Sequence, residues 1–228
     1  MKLAILALAA LLTACGGGGT DEDQRATAAI GCIPRTATVA LFGDSTMRGP
    51  EDPANPNRPQ ALLQAGLDAR FGIGAVRVTL HAYGGAEVFD LVAGARGFAK
   101  WPAGADADVV VVSFGVNEAQ NGVTLERYSQ GLGQIATRPL LWSTPLPVRA
   151  GGDEPYAEAF RAVARAHGGQ IIEARGYVLG LPNWSALLSD GIHPSEALYA
   201  AIVRDVTLPA VAAAVAPIRC ESARAAAA

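Results

Sequence analysis

At 228 residues the chain is long enough for one domain with a sizeable core, and too short for two domains of ordinary size. Half of its residues are hydrophobic and 17% are charged, which excludes a disordered chain. A formal charge of -3 without any basic run excludes a nucleic-acid-binding surface, and no internal repeat is visible.

Met1-Lys2 gives a positive start, and Leu3 to Leu12 an apolar run too short to span a bilayer. The run ends in Leu12-Thr13-Ala14-Cys15, which resembles a bacterial lipoprotein signal: residues 1–14 would be removed and Cys15 lipidated as the new N-terminus. The plainer alternative is an ordinary cleaved signal peptide with an incidental cysteine. Glycines fill positions 16–19 and Asp21-Glu22-Asp23 follows, so residues 15–35 read as a flexible tether from a membrane surface. Gly16 after the cysteine, by the same resemblance, points to the outer membrane of a bacterial envelope, with the protein facing the periplasm. In that oxidising compartment Cys32 and Cys220 can pair and tie together the two ends of a domain spanning residues 36–220. The alternative is two free buried thiols. Residues 221–228 read as a disordered tail.

Strand-length apolar runs then alternate with helical patterns. The predicted strands are Thr38 to Phe42, Val76 to Leu80, Val109 to Phe114, Leu140 to Trp142 and Gln170 to Glu173. Continuous apolar runs of this kind suit strands buried on both faces. The predicted helices cover about Pro59 to Arg70, Glu87 to Ala95, Leu125 to Ala136, Tyr156 to His167 and Ser195 to Val215. Such alternation implies a three-layer α/β/α fold around a central, mainly parallel five-stranded sheet. In sheets of this type, sites form beyond the carboxyl ends of the strands. Ser45 lies just past the first predicted strand and Asn117 just past the third, so both fall on that edge. Arg48 to Pro59, rich in proline and asparagine, is placed to form a pocket rim.

Three short motifs carry the chemistry. Gly43-Asp44-Ser45 offers a hydroxyl at a strand end, though Asp-Ser-Thr is also ordinary cap chemistry. Gly115-Val116-Asn117 offers an amide that can donate to an oxyanion, or a plain turn residue. Asp190-Gly191-Ile192-His193-Pro194 has a carboxylate three residues before an imidazole, a spacing that lets Asp190 fold back and fix the tautomer of His193. The alternative there is an Asp-Gly turn with His193 as a helix cap, Pro194 beginning the helix. The other two histidines, His81 and His167, have no such partner. Gly131-Leu132-Gly133 fits part of a dinucleotide fingerprint but lies inside a helical pattern, and the histidines are too dispersed for a zinc site.

Taken in order, these blocks resemble the SGNH or GDSL serine hydrolases over nearly the whole chain beyond the tether. The resemblance implies Ser45 as nucleophile, Asp190 and His193 as its acid–base pair, and an oxyanion hole from the N–H groups of Ser45 and Gly85 with the amide of Asn117. Gly85 comes from Tyr83-Gly84-Gly85-Ala86-Glu87-Val88, with Gly84 as the other fit. Glu118 departs from the family's usual aspartate, which bears on loop packing. The implied activity is hydrolysis of acyl esters, short-chain or acetyl, through an acyl-enzyme. Thioesterase, lysophospholipase, acyltransferase, or a catalytically silent envelope-binding lipoprotein are the alternatives. No metal or cofactor is implied. The expected partner is a small-molecule or glycan ester, taken by a monomer. Trp142 and Trp184 are candidate stacking faces for a sugar, or ordinary packing.

Overall fold

The computed structural model describes residues 35–103 and 105–219. The segment before them, with Cys15 and Cys32, and Cys220 with the tail after them lie outside the described residues. Five strands form one sheet: β1 (Ala37–Gly43), β2 (Val76–Ala82), β3 (Val109–Ser113), β4 (Leu141–Ser143) and β5 (Gln170–Ile172). All pair in parallel in the order β2-β1-β3-β4-β5. Each predicted strand is present with its ends shifted by no more than a turn of pleat. The central strand β3 is buried at every position, while the edge strand β2 exposes Arg77. That difference follows from covering both faces of the sheet's middle with helices.

Period-two alternation along β1 sends Val39 and Leu41 to one face, and Ala40 and Phe42 to the other. The first face packs against α2 (Pro59–Phe71) and the long C-terminal helix, through Leu63, Leu67, Val211 and Val215. The second packs against α3 (Val88–Ala93), α5 (Leu125–Ile135) and α6 (Glu154–Ala166), through Leu91, Tyr128, Leu132 and Phe160. The remaining helices are α1 (Ser45–Arg48), α4 (Val116–Gln120), α7 (Ala174–Leu179) and α8 (Glu196–Ile202). A π segment, Val203–Thr207, joins α8 to α9 (Leu208–Arg219), so the C-terminal helix runs beyond the predicted end at Val215.

Two expectations change. Pro194 does not begin a helix: it bridges to Leu188, and Ser195 is the cap of α8, its hydroxyl accepting from the Leu198 N–H at 3.3 Å. Trp142 is no stacking face, because it is 1% exposed and meets Phe160 edge-on at 5.2 Å. Trp184 sits in a 3-10 turn, Trp184–Leu187, and packs half-buried against the cluster of Leu146, Val178 and Leu188.

Of the two glycines of α5, Gly131 serves helix packing and Gly133 does not. A Cβ on Gly131 would stand 2.5 Å from Val88 Cγ1, so this glycine lets α3 approach α5, whereas a Cβ on Gly133 meets nothing within 4 Å. Gly131→Ala is therefore expected to cost about 1–3 kcal/mol of stability through overpacking. Gly133→Ala should instead add up to about 1 kcal/mol from helix propensity. Urea unfolding of the two variants beside the parent checks both signs.

Candidate active site

The site is built where β1 and β3 end level with each other, Gly43 opposite Ser113. A Cβ on Gly43 would lie 2.7 Å from Ser113 O and 2.6 Å from Met47 Cβ, so only glycine lets β1 turn at once into α1 beside its neighbour. Asp44 caps α1: its Oδ1 accepts the Thr46 N–H at 2.8 Å and the Thr46 hydroxyl at 2.7 Å. The cap is thus Asp44, and Ser45 is the first helical residue, with a backbone N–H that the helix does not use.

On the next strand Gly115 has φ +134°, and a Cβ there would strike the Tyr128 hydroxyl at 2.7 Å and Pro145 at 3.0 Å. This close turn delivers Asn117 into α4, where its Nδ2 donates to Ala86 O at 2.9 Å and keeps a second proton for another acceptor. Glu118, fully buried, accepts the Val88 N–H at 2.7 Å through Oε1. The two contacts lace α4 to the segment that carries Gly84 and Gly85.

The third part arrives from far along the chain. Asp190 Oδ1 accepts the N–H groups of Ile192 at 2.9 Å and His193 at 2.8 Å, a turn that Gly191 completes with φ +93°. Asp190 Oδ2 then lies 2.6 Å from His193 Nδ1, and His193 Nε2 lies 2.8 Å from Ser45 Oγ. Burial pushes the Asp190 carboxyl up, but the hydrogen bonds from His193 and Ile192 outweigh it and hold the group well below the usual carboxylate range. An ionised Asp190 fixes the proton of the imidazole on Nδ1, leaving Nε2 to accept from the serine hydroxyl. In chemical terms the arrangement can draw a proton from Ser45 and hold the resulting positive charge.

Sequence reasoning missed what positions this loop. Arg149 donates its N–H to Gly191 O at 2.8 Å, and its guanidinium to Ser185 O at 2.8 and 3.0 Å and Leu188 O at 2.6 Å. One residue, through its backbone N–H and its guanidinium together, thus ties the Trp184–Leu187 turn to the Asp190–His193 loop. The buried acids Asp44 and Glu118 are the second omission. Burial raises both carboxyls, Glu118 to about 8, and Asp44 Oδ2 and Glu118 Oε2 find no hydrogen-bond partner. The departure at Glu118 was visible in the sequence; its buried partner Val88, 30 residues away, was not.

His81 and His167 are not brought to the site. His81 stacks on Phe42 at 4.7 Å, and burial lowers its pKa. His167 ends α6, its N–H donating to Val163 O at 3.1 Å. Two clefts open beside the imidazole and its acid. One of about 400 Å³ is lined by Arg48, Pro50, Glu51, His193 and Tyr199, so the predicted rim loop does border the site. The other, about 560 Å³, is lined by Gln120, Val148, Arg149, Asp190 and Ile192. Among the described residues no cluster of His, Cys, Asp or Glu could hold a metal ion.

A parallel α/β/α sheet with hydroxyl, imidazole and carboxylate in line beyond its carboxyl edge has the architecture of an ester hydrolase of the SGNH type. The chain belongs to the GDSL-like lipase/acylhydrolase family, whose model matches residues 41–201, and it is an ester-hydrolysing enzyme. No curated protein matches the sequence. Among solved structures it is similar to an α/β-hydrolase enzyme from the metagenome of Lake Arreo, Spain, with 22% identity and TM-score 0.62 over 82% of this chain and 99% of that one. A lipase/acylhydrolase from Enterococcus faecalis matches at 22% identity and TM-score 0.60, over 75% of this chain and 95% of that one. The acetylxylan esterase Axe2 from Geobacillus stearothermophilus matches at 18% identity and TM-score 0.58, over 75% and 94% of the two chains. At these identities the likeness is one of fold.

The buried acid generates a pH prediction. An unfolded glutamate ionises near 4.5, whereas Glu118 in the folded protein holds its proton to about 8. Between these values the unfolded state binds fewer protons, so this residue makes stability fall as pH rises. Glu118→Gln keeps the acceptor for Val88 and cannot ionise. Its stability relative to the parent is expected to climb by a few kcal/mol from pH 4.5 to 8 and then level off. Thermal melts of both proteins across that range read it directly, and a gap independent of pH would show that Glu118 titrates normally.

Proposed function

We propose that the protein is a serine esterase that works through an acyl-enzyme. His193 takes the Ser45 proton as the hydroxyl attacks the ester carbonyl, while ionised Asp190 stabilises the imidazolium. The N–H groups of Ser45 and Gly85 and the second proton of Asn117 Nδ2 receive the oxyanion. Collapse expels the alcohol, which takes its proton from His193. Water, deprotonated by the same imidazole, then attacks the acyl-enzyme and frees the acid and Ser45. The observation that carries this reading is the unbroken relay of 2.8 Å from Ser45 Oγ to His193 Nε2 and 2.6 Å from Nδ1 to Asp190.

The acyl group we propose is short, acetyl above all. Both clefts beside the relay are open, and charged or polar side chains such as Arg48, Glu51, Gln120 and Arg149 interrupt their apolar lining of Pro50, Val148 and Ile192. A long apolar groove would suit a fatty chain better. The likeness in fold to the acetylxylan esterase Axe2 favours a glycan as the alcohol. The sequence pattern at Cys15 further supports a lipid-anchored enzyme facing the periplasm, its ends joined by Cys32 and Cys220.

Hydrolysis of p-nitrophenyl esters from acetate to long chains tests the reading. Turnover should be confined to the short esters and vanish in Ser45→Ala with folding intact. Asn117→Ala should lower kcat by about 100- to 1,000-fold, the usual cost of one oxyanion donor. A preference for long chains would redirect the substrate to lipids or thioesters, and substantial activity in Ser45→Ala would overturn the mechanism.

A further inference from the structure

Two arginines that neither the mechanism nor the sequence motifs use lie against the Gly84–Gly85 turn. The Arg48 guanidinium nitrogens stand 3.4 and 3.5 Å from where a Cβ on Gly84 would be, and Arg96 Nη1 stands 3.6 Å from the same position on Gly85. Both cations therefore lie within ordinary van der Waals reach of the segment expected to bind the oxyanion. Arg48 also lines the cleft that contains His193 and Tyr199.

Neither cation is fully engaged by the protein. Arg48 meets Glu51 at 3.0 Å, but that carboxylate is 88% exposed, and the Arg48 Nε is buried with no acceptor. Exposed pairs of this kind are weak and give way readily. Of the other two acids of the cleft, Glu196 is occupied by the amides of Asn55 and Asn57 at 2.9 Å each, and Asp190 by His193 and the Ile192 N–H. Arg96 bonds Asp90 through Nε alone at 3.0 Å, its side chain half exposed. Its backbone is held at φ +51°, a conformation that a residue with a side chain adopts at a cost. Strain of that sort gathers where a side chain must be aimed.

We infer that Arg48 and Arg96 form an anion-recognition subsite, and that the preferred substrate is an ester bearing a carboxylate or phosphate beside the scissile bond. Guanidinium groups grip such oxyacids through paired, charge-assisted hydrogen bonds. A glycan acetylated on or next to a uronic acid supplies the carboxylate; an acylated glycerol phosphate supplies the phosphate. The inference rests on Ser45 acting as proposed and adds the charge of the group it serves.

Two matched pairs test it: an O-acetylated methyl galacturonoside against its methyl ester, and acetylglycerol phosphate against monoacetylglycerol. In at least one pair the wild-type kcat/KM should favour the anionic member by about 10- to 100-fold, the range expected for hydrogen bonds to a charged group. The preferred pair names the source of the anion. That ratio should shrink with added salt and collapse about tenfold or more in Arg48→Gln and Arg96→Gln. Arg48→Lys, which keeps the charge without the fork, should fall between. Labelling of Ser45 by a fluorophosphonate and a preserved melting temperature establish that each variant is folded. A ratio near one in both pairs, or a ratio that neither substitution moves, would overturn the subsite while leaving the esterase intact. No turnover and no label at Ser45 would overturn both readings together.

Discussion

The register between β1 and β3 is the constraint on which the site depends. With Gly43 opposite Ser113, the two central strands stop level, and the chain leaves each through a glycine directly into a short helix. A slip of one residue would turn every β1 side chain to the other face, pulling Phe42 from its cluster with Val112 and Phe114 and moving Ser45 off the edge. The packing that stabilises the sheet therefore also sets the distance between the serine and the amide of Asn117. His193, 148 residues after Ser45, joins them through Arg149 and the cap of α8, without any strand of its own.

What was legible in the sequence follows from how local each signal is. The strands could be read from short apolar runs: β1 and β3 are nearly continuous, as a strand buried on both faces requires, whereas β2 is interrupted by the exposed Arg77 and β5 begins at the exposed Gln170. The helices α2, α5 and α6 are long enough to show a period. Helices α1, α4 and α7, of four to six residues, are not, and their boundaries come from caps and close contacts instead. Ser45 and Asn117 could be placed on one edge from their position after strands, and the nearness of Asp190 to His193 from spacing alone. Trp142 misled because aromatic identity says nothing of burial. Arg48, Arg96 and Arg149 were passed over because an arginine in a sequence reads as solvated charge until its partners, most of them backbone or distant carboxylates, are known.

The carboxyls of the site are sorted by their surroundings rather than their type. Asp190 gathers two N–H groups and an imidazole N–H, and stays ionised despite some burial. Asp44 and Glu118 lie deeper, each with one oxygen unpartnered, and burial holds them toward the neutral form. That division has a use. A second full negative charge close to Ser45 and Asn117 would oppose an oxyanion forming between them, whereas a neutral acid can anchor the Val88 N–H without adding a field of its own. Pinning a loop with a buried acid is thus compatible with stabilising an anion nearby when burial raises the carboxyl, as at Glu118, to about 8.

Rigidity and charge are consequently divided between the inside and the rim of this site. Gly85, Gly115 and Gly191 hold backbone conformations with φ between +70° and +134°, one in the Gly84–Gly85 turn, one just before Asn117 and one between Asp190 and His193. Their geometry is fixed by the turn itself and by side chains packed on it, which leaves the backbone there little freedom. The rim is different in kind: Arg48, Glu51 and Arg96 are partly exposed, with single, weak ties to one another or to Asp90. Fold alone does not choose among esters. Discrimination must then reside in the groups that meet the remainder of the molecule, and on the side of Gly84 and Gly85 those groups are cationic.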